Sequence, residues 1–509
     1  MIFPARTLAF LIHAVSLVVY IEPVFSMIFS SPLFLFLFLP IVLTVYLLLP
    51  GTRSRNFLLL LASLVFYAWG ETGFIVLLLA STLMNYGLGL WVDRNESAAR
   101  RRLAVGVAVF INLGLLAFFK YADFATGLFN FLLAFVGLAP LPAPHIPLPI
   151  GISFFTFHAL SYVIDVYRHK WKAATDPKDV ALYIFFFPQL IAGPILRWSA
   201  IGPQLSRHAV SLDSFADGIR RFVGGLGKKV LIANTLALPA DQIFSLPANE
   251  LSTSVAWLGI LCYSLQIYFD FSGYSDMAVG LGKMFGFTFL ENFNFPYVAQ
   301  SIRDFWRRWH ISLSTWFRDY LYIPLGGNRV SEMRNHFNLL AVFFLCGLWH
   351  GASWTFVAWG LYHGFFLVLE RTRFGKIQEK LPQALRHLYA IFIVMMGWVI
   401  FRTDSLAATQ HFFAVLFGVI NATAAQPAAR YMTNPVSLAI FLGVLFSGPL
   451  WTGIKNTCSK IGQSSAAASR PIIQFFGSVT EIILIVAVAL VSSAWLASGT
   501  YNPFIYFRF

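Results

Sequence analysis

The chain has 509 residues, of which 58% are hydrophobic, 17% aromatic and 11% charged, against roughly 25% charged in ordinary soluble domains. That balance excludes a water-soluble protein. The net charge of +14 does not point to nucleic acid either, because the basic residues stand in short loops between apolar runs, as cytoplasmic loops of membrane proteins do.

Residues 1–26 carry Arg6 and then a mostly apolar run to Tyr20, which reads as a signal peptide or an extra span. No small-residue cleavage site follows, and MIFS at 27–30 offers a second start, so translation from Met27 is an alternative. Charge-free stretches cover residues 72–92, 103–119, 180–196, 251–269, 432–454 and 482–507. Several reach the roughly 20 residues that a bilayer crossing needs. With shorter and Pro-interrupted runs added, the pattern predicts an all-α polytopic membrane protein of about 11–13 spans, forming one integrated domain over residues 27–509.

Arg53 and Arg55 precede two of these runs, and Arg94, Arg100, Arg101 and Arg102 follow them, so both clusters fit one side of the membrane. The stretch PLPAPHIPLP at 140–149 cannot be helical, because its prolines remove donors and favour extended backbone. Residues 150–167 are apolar apart from His158 and Asp165, and residues 180–196 are broken by Pro188 and Gly193-Pro194. Broken backbone at membrane depth must be enclosed by protein or line a cavity. Tyr268, Asp270, Ser272, Tyr274 and Asp276 form a polar patch in QIYFDFSGYSD at 266–276. Its carboxylates are candidates for orienting neighbours or tying helices together, with direct catalysis as the lesser alternative.

Residues 300–334 hold six arginines and three acids among aromatic residues. If this stretch is helical, Ile302, Phe305, Trp309 and Leu313 form an apolar stripe, which predicts a helix lying along the membrane surface. Arg303, Arg307, Arg308 and Arg318 are candidates for the phosphates of a donor, since guanidinium matches phosphate bidentately. Anionic headgroups would satisfy them equally. His310, next to Trp309, is either a donor-orienting group or an interfacial side chain.

Residues 338–349 carry no charge, His350-Gly351-Ala352-Ser353 follows, and a second run extends to Leu369, apolar except for His363. Arg334 stands before the pair and Arg371, Arg373 and Lys376 after it. Both ends therefore belong on one side, and the element should enter and return, with His350 at its tip. Twelve helical residues rise about 18 Å. A histidine so placed either exchanges a proton with a reacting hydroxyl or satisfies a backbone carbonyl between packed helices. Cys262, Cys346 and Cys458 give no disulfide framework and no metal spacing, and no Walker-type phosphate loop or dinucleotide fingerprint occurs.

Six strings stand in order along the chain: PIGISFFTF at 149–157, FPQLIAGP at 187–194, DFSGYSD at 270–276, ENFNFP at 291–296, FWRRWHISL at 305–313 and LWHG at 348–351. Together they resemble the membrane-bound O-acyltransferase (MBOAT) family, and more closely its bacterial branch that O-acetylates alginate. The resemblance implies a ring of helices around a thinned centre with a tunnel. It matches His350 to the family's central histidine and His310 to its second polar catalytic position. It further implies acetyl-CoA, or another acetyl thioester, as a cytoplasmic donor substrate, an inner-membrane location, and periplasmic acetyl-carrier or acetyltransferase partners of an exopolysaccharide pathway. Related envelope acylation systems use a C-terminal tyrosine motif, so Tyr506 in the ending YNPFIYFRF is either a transient acyl acceptor or an interfacial anchor. Acylation of cellulose, peptidoglycan or teichoic acid is the near alternative. A polysaccharide or acyl transporter is the distant one, against which no internal repeat is apparent.

Overall fold

The computed structural model describes residues 27–420, 422, 424, 426–450, 453 and 470–505. The N-terminal segment 1–26, Cys458 and Tyr506 lie outside the described residues. Among those described, the regular elements are helical, as the apolar runs predict. They are α1 (Leu39–Leu48), α2 (Thr52–Gly70), α3 (Ile75–Arg94), α4 (Ala98–Phe135), α5 (Ile152–Tyr167), α6 (Pro177–Phe185), α7 (Phe187–Leu190), α8 (Trp198–Ser206), α9 (Leu212–Gly227) and α10 (Asn234–Phe244). Then follow α11 (Thr253–Met284), α12 (Ile302–Arg308), α13 (Ile311–Phe317), α14 (Glu332–His350), α15 (Trp354–Leu369), α16 (Arg373–Gln378), α17 (Gln383–Arg402), α18 (Leu406–Leu416), α19 (Asn434–Phe446) and α20 (Arg470–Ala497).

Within the described residues, five helices are long and apolar enough to cross a membrane: α3, α4, α11, α17 and residues Phe475–Ala497 of α20. Phe34–Leu48, α5, α15, α18 and α19 are shorter apolar helices of 10–17 residues. Large apolar side chains such as Phe110, Phe135 and Phe441 are exposed, which suits helices solvated by lipid and would be a liability in water.

The chain divides into two compact units. The first comprises the described part of Met1–Asn112 with Pro149–Ile191 and Arg197–His208. Here α3 and α5 approach so closely that a Cβ on Gly89 would stand 2.3 Å from the Tyr162 ring. Asn85 and Asn112 exchange side-chain amide hydrogen bonds at 3.1 and 2.8 Å, which answers the need for polar groups in an apolar setting to satisfy one another. The predicted break near Pro188 is real: α6 stops at Phe185, and the Phe187 N–H donates to Ser63 Oγ at 3.0 Å. His158 is fully buried, edge-on to Tyr183 with ring centroids 5.7 Å apart.

The second unit holds Leu113–Leu148, Ala192–Leu196 and the described part of Ala209–Phe509. Its axis is α11, 83% buried over its most apolar window. Helix α9 lies backbone to backbone against it: a Cβ on Gly225 would meet the Gly273 carbonyl at 2.6 Å, and one on Gly280 the Gly218 carbonyl at 2.6 Å. Helices α14 and α15 form the expected hairpin. They cross at Gly347 and Gly360, where an added Cβ would fall 2.3 and 2.2 Å from carbonyls of the opposite helix.

Candidate active site

The site is built in the second unit, around the hairpin tip. Helix α14 has 19 residues rather than the predicted twelve, because a polar first turn from Glu332 precedes the apolar run. Its length is therefore about 28 Å. The helix ends at His350, where Gly351 turns extended, and α15 restarts after Ser353, whose Oγ accepts the Phe356 N–H at 3.4 Å. The His350 imidazole is 5% exposed. It stands edge-on to the rings of Trp349, Trp359 and Phe401, with centroids at 4.9, 5.0 and 5.3 Å.

His310 is fully buried, so it is not an interfacial side chain. The single surface helix predicted across residues 302–313 is in fact two short ones, α12 and α13, and all four stripe residues are buried. The break lies at His310 itself, whose φ of 44° places a non-glycine residue in the left-handed region. Asn292 holds it there. The Asn292 carbonyl accepts the Ile311 N–H at 2.9 Å. The side-chain Oδ1 accepts from Ser312 N at 3.1 Å and Ser312 Oγ at 2.9 Å, with His310 Nδ1 at 3.1 Å.

That network assigns a tautomer. Asn292 Nδ2 donates to Ser275 Oγ at 3.0 Å, which makes Oδ1 the acceptor and requires the proton on His310 Nδ1. Nε2 then carries a lone pair, and it has no hydrogen-bond partner among the described residues. Phe271 stands edge-on to the ring at 4.6 Å. One indole joins the two histidines: the Trp349 ring lies 6.1 Å from that of His310 and 4.9 Å from that of His350.

The polar patch on α11 has a different character. Asp270 pairs with Lys229 at 2.6 Å, both side chains 2% exposed, and its second oxygen accepts the Ile505 N–H at 3.0 Å. Lys229 Nζ also donates to the Pro503 carbonyl, and Tyr274 packs on Phe504 at 5.0 Å. Upstream in the same segment, Tyr501 donates to Asp241 at 2.7 Å and Asn234 Nδ2 to Asn502 Oδ1 at 2.9 Å. Asp276 is held by Arg221 and Lys228, each at 2.7 Å. Ser272 is buried, and its Oγ has no hydrogen-bond partner among the described residues. Asp270 and Asp276 thus tie helices and the C-terminal segment together.

Cavities lie at both ends of the hairpin. One of about 710 Å3 at the open end is lined by Arg303, Arg307, His336, Arg371, Arg373 and Lys376, with Glu332 and Asn335 from the first turns of α14. Of the four candidate arginines, Arg303 and Arg307 reach it. Arg308 instead pairs with Asp304 at 2.8 Å and donates to the Asn294 carbonyl at 3.2 Å, and Arg318 pairs with its neighbour Asp319 at 2.7 Å. Glu370 pins α12 to this end by accepting the Ile302 and Arg303 N–H groups at 2.6 and 3.0 Å. Burial pushes its carboxyl above the ordinary range, and those two donors pull against that. A second cavity, of about 190 Å3, lies at the tip between Ser353, Thr355, Phe356, Phe401, Arg402, Asp241 and the tail residues Pro503–Ile505.

The buried histidine pair thus stands at the tip of a hairpin whose other end carries a cationic cavity. The MBOAT, membrane-bound O-acyltransferase family, matches residues 58–410. The chain belongs to that family. As an MBOAT it is a multi-pass membrane enzyme that transfers acyl groups to oxygen. It is 42% identical over 504 residues to a probable alginate O-acetylase of Azotobacter vinelandii, covering 95% of this chain and 100% of the relative. It is 48% identical over 394 residues to a probable alginate O-acetylase of Pseudomonas aeruginosa, covering 77% and 75% of the two chains. A peptidoglycan O-acetyltransferase of Helicobacter pylori is 39% identical over 421 residues, covering 75% and 78%. His310, His350 and Asn292 all fall inside the matched span.

Sequence reasoning missed Asn292, Arg371, Arg373 and Lys376 as site residues, and it missed Lys120. The lysine gave a signal, being a charge inside an apolar helix. The role of Asn292 depends on a loop folding back on residues far along the chain.

Proposed function

We propose that this MBOAT takes an acetyl group from acetyl-CoA on the cytoplasmic side of the inner membrane. It passes the group on, with periplasmic acetyl-carrier partners, for O-acetylation of an exopolysaccharide, alginate. The reading treats the chain as one integral acyltransferase domain. The observation that carries it is the placement of His310 and His350 at the tip of a hairpin whose other end opens on a cavity with four arginines. Guanidinium groups there suit the phosphates of a CoA thioester, and the small tip cavity suits a single hydroxyl-bearing group.

In the proposed step, the hydroxyl oxygen attacks the thioester carbon while its proton passes to His350. The C–S bond then breaks, and the imidazolium returns the proton to the leaving thiolate. The tautomer assigned to His310 presents a lone pair, which cannot donate to an oxyanion. It can accept a hydrogen bond from an amide of the donor's arm, so the role fitted to His310 is to steady the thioester.

The test is His350→Ala expressed in a clean deletion strain, with acetyl ester measured in both the alginate and the peptidoglycan fractions. Loss of alginate acetylation, on the order of 100-fold or more, is expected at unchanged protein level in the membrane. Normal acetylation would overturn the assignment. Loss confined to peptidoglycan would move the acceptor to that polymer.

A further inference from the structure

A helix leaves its last four carbonyls without partners inside the helix, and inside a membrane protein other protein groups must supply the donors. For α14 the accounting closes on one neighbour. The Gly347 carbonyl accepts the Gly351 N–H at 3.3 Å. The Leu348 carbonyl accepts from Tyr121 Oη at 2.6 Å. The carbonyls of Trp349 and His350 both accept from Lys120 Nζ, at 2.5 and 3.2 Å. The same ammonium stands 6.0 Å over the Trp349 ring, the indole that joins the two histidines.

Lys120 and Asp123 are the only charged residues from Leu103 to the end of α4. Charge in an apolar helix is costly and is retained where it does something. A cap serving stability alone needs only donors, which a hydroxyl or an amide could supply. Lys120 Nζ reaches two successive carbonyls at once, those of the residue that carries the imidazole and of the indole beside it.

We propose that Lys120, with Tyr121, is a positioning residue for His350: together they close the open carbonyls of the helix that carries the imidazole. Where the imidazole stands is thereby set from α4. A displacement of about 1 Å in such a group costs on the order of 100-fold in rate. The inference rests on the reading of His350 as the proton acceptor.

The experiment compares Lys120→Met, Lys120→Arg, Tyr121→Phe and His350→Ala with the wild type in membrane vesicles from the deletion strain, supplied with that strain's periplasmic fraction. Acetyl-CoA is titrated, acetyl incorporation into alginate is followed, and each variant is quantified. Lys120→Met is expected to lower the maximal rate on the order of 10- to 100-fold with half-saturating acetyl-CoA unchanged. Lys120→Arg, which restores the donors, should recover most of that rate. Should Lys120→Met fail to accumulate, Tyr121→Phe removes one oxygen and is expected to cost roughly 2- to 10-fold; a wild-type rate there overturns the proposal. A wild-type rate for Lys120→Met beside an inactive His350→Ala sinks this inference and leaves the role of His350 standing. So does a loss carried wholly by the donor KM, or a Lys120→Arg no better than Lys120→Met. An active His350→Ala overturns the parent reading instead.

Discussion

Two polar clusters meet α11 within a few residues of each other and use their atoms differently. Around Ser275 the groups are neutral: Asn292 gathers Ser312, Ser275 and His310, and the network ends in one buried nitrogen, His310 Nε2, with no partner among the described residues. Around Asp270 and Asp276 the groups are charged, and all four carboxylate oxygens are engaged by Lys229, Ile505, Arg221 and Lys228. Under the proposed function, holding a donor requires an uncommitted lone pair in a fixed place, whereas a clamp requires that nothing be left over. Both clusters are polar groups gathered along one apolar helix, and their charge and hydrogen bonds tell them apart.

The contrast breaks most visibly at Lys229. Lys229→Met should destabilise the protein by about 3–5 kcal/mol, since it leaves Asp270 as an uncompensated buried charge, and the double variant Lys229→Met/Asp270→Leu should recover much of that. Thermal unfolding in detergent measures both, and an unchanged midpoint for the single variant would mean that the pair clamps nothing. Next comes Asn292→Ala, which frees the His310 tautomer. Its acetylation rate should fall on the order of 100-fold at a smaller cost in stability than Lys229→Met, and a rate loss no larger than its stability loss predicts would make Asn292 another clamp. The smallest effect belongs to Lys228→Met, where the lysine is 31% exposed and Asp276 keeps Arg221. It should cost less than about 1 kcal/mol and leave the rate alone.

The hairpin was legible because two apolar runs bounded by basic residues leave few alternatives. Its true length was not, because the first turn of α14 is polar and hides from an apolar count. The division at His310 was invisible for a physical reason: Ile302, Phe305, Trp309 and Leu313 keep helical spacing across it, and what breaks the helix is Asn292, brought there by tertiary folding. Among the arginines, local density along residues 300–334 marked four candidates, but two of them satisfy neighbouring carboxylates, and Arg371, Arg373 and Lys376 enter the cavity from the far side of the hairpin. Lys120 stood in plain view. The charge-free run stops at Phe119, whereas α4 runs on to Phe135.

The hairpin also acts as a ruler. Asn335 lines the cationic cavity and His350 ends the same helix, roughly 22 Å away at 1.5 Å per residue. The glycine crossing at Gly347 and Gly360 leaves that helix no slack against its partner. Under the proposed function, a donor gripped by its phosphates at one end reaches the imidazole only if its acyl group rides on an arm of matching length. Selection among donors then works by reach as well as charge, and a compact acyl phosphate, however well its charge is met, stops short of the histidine.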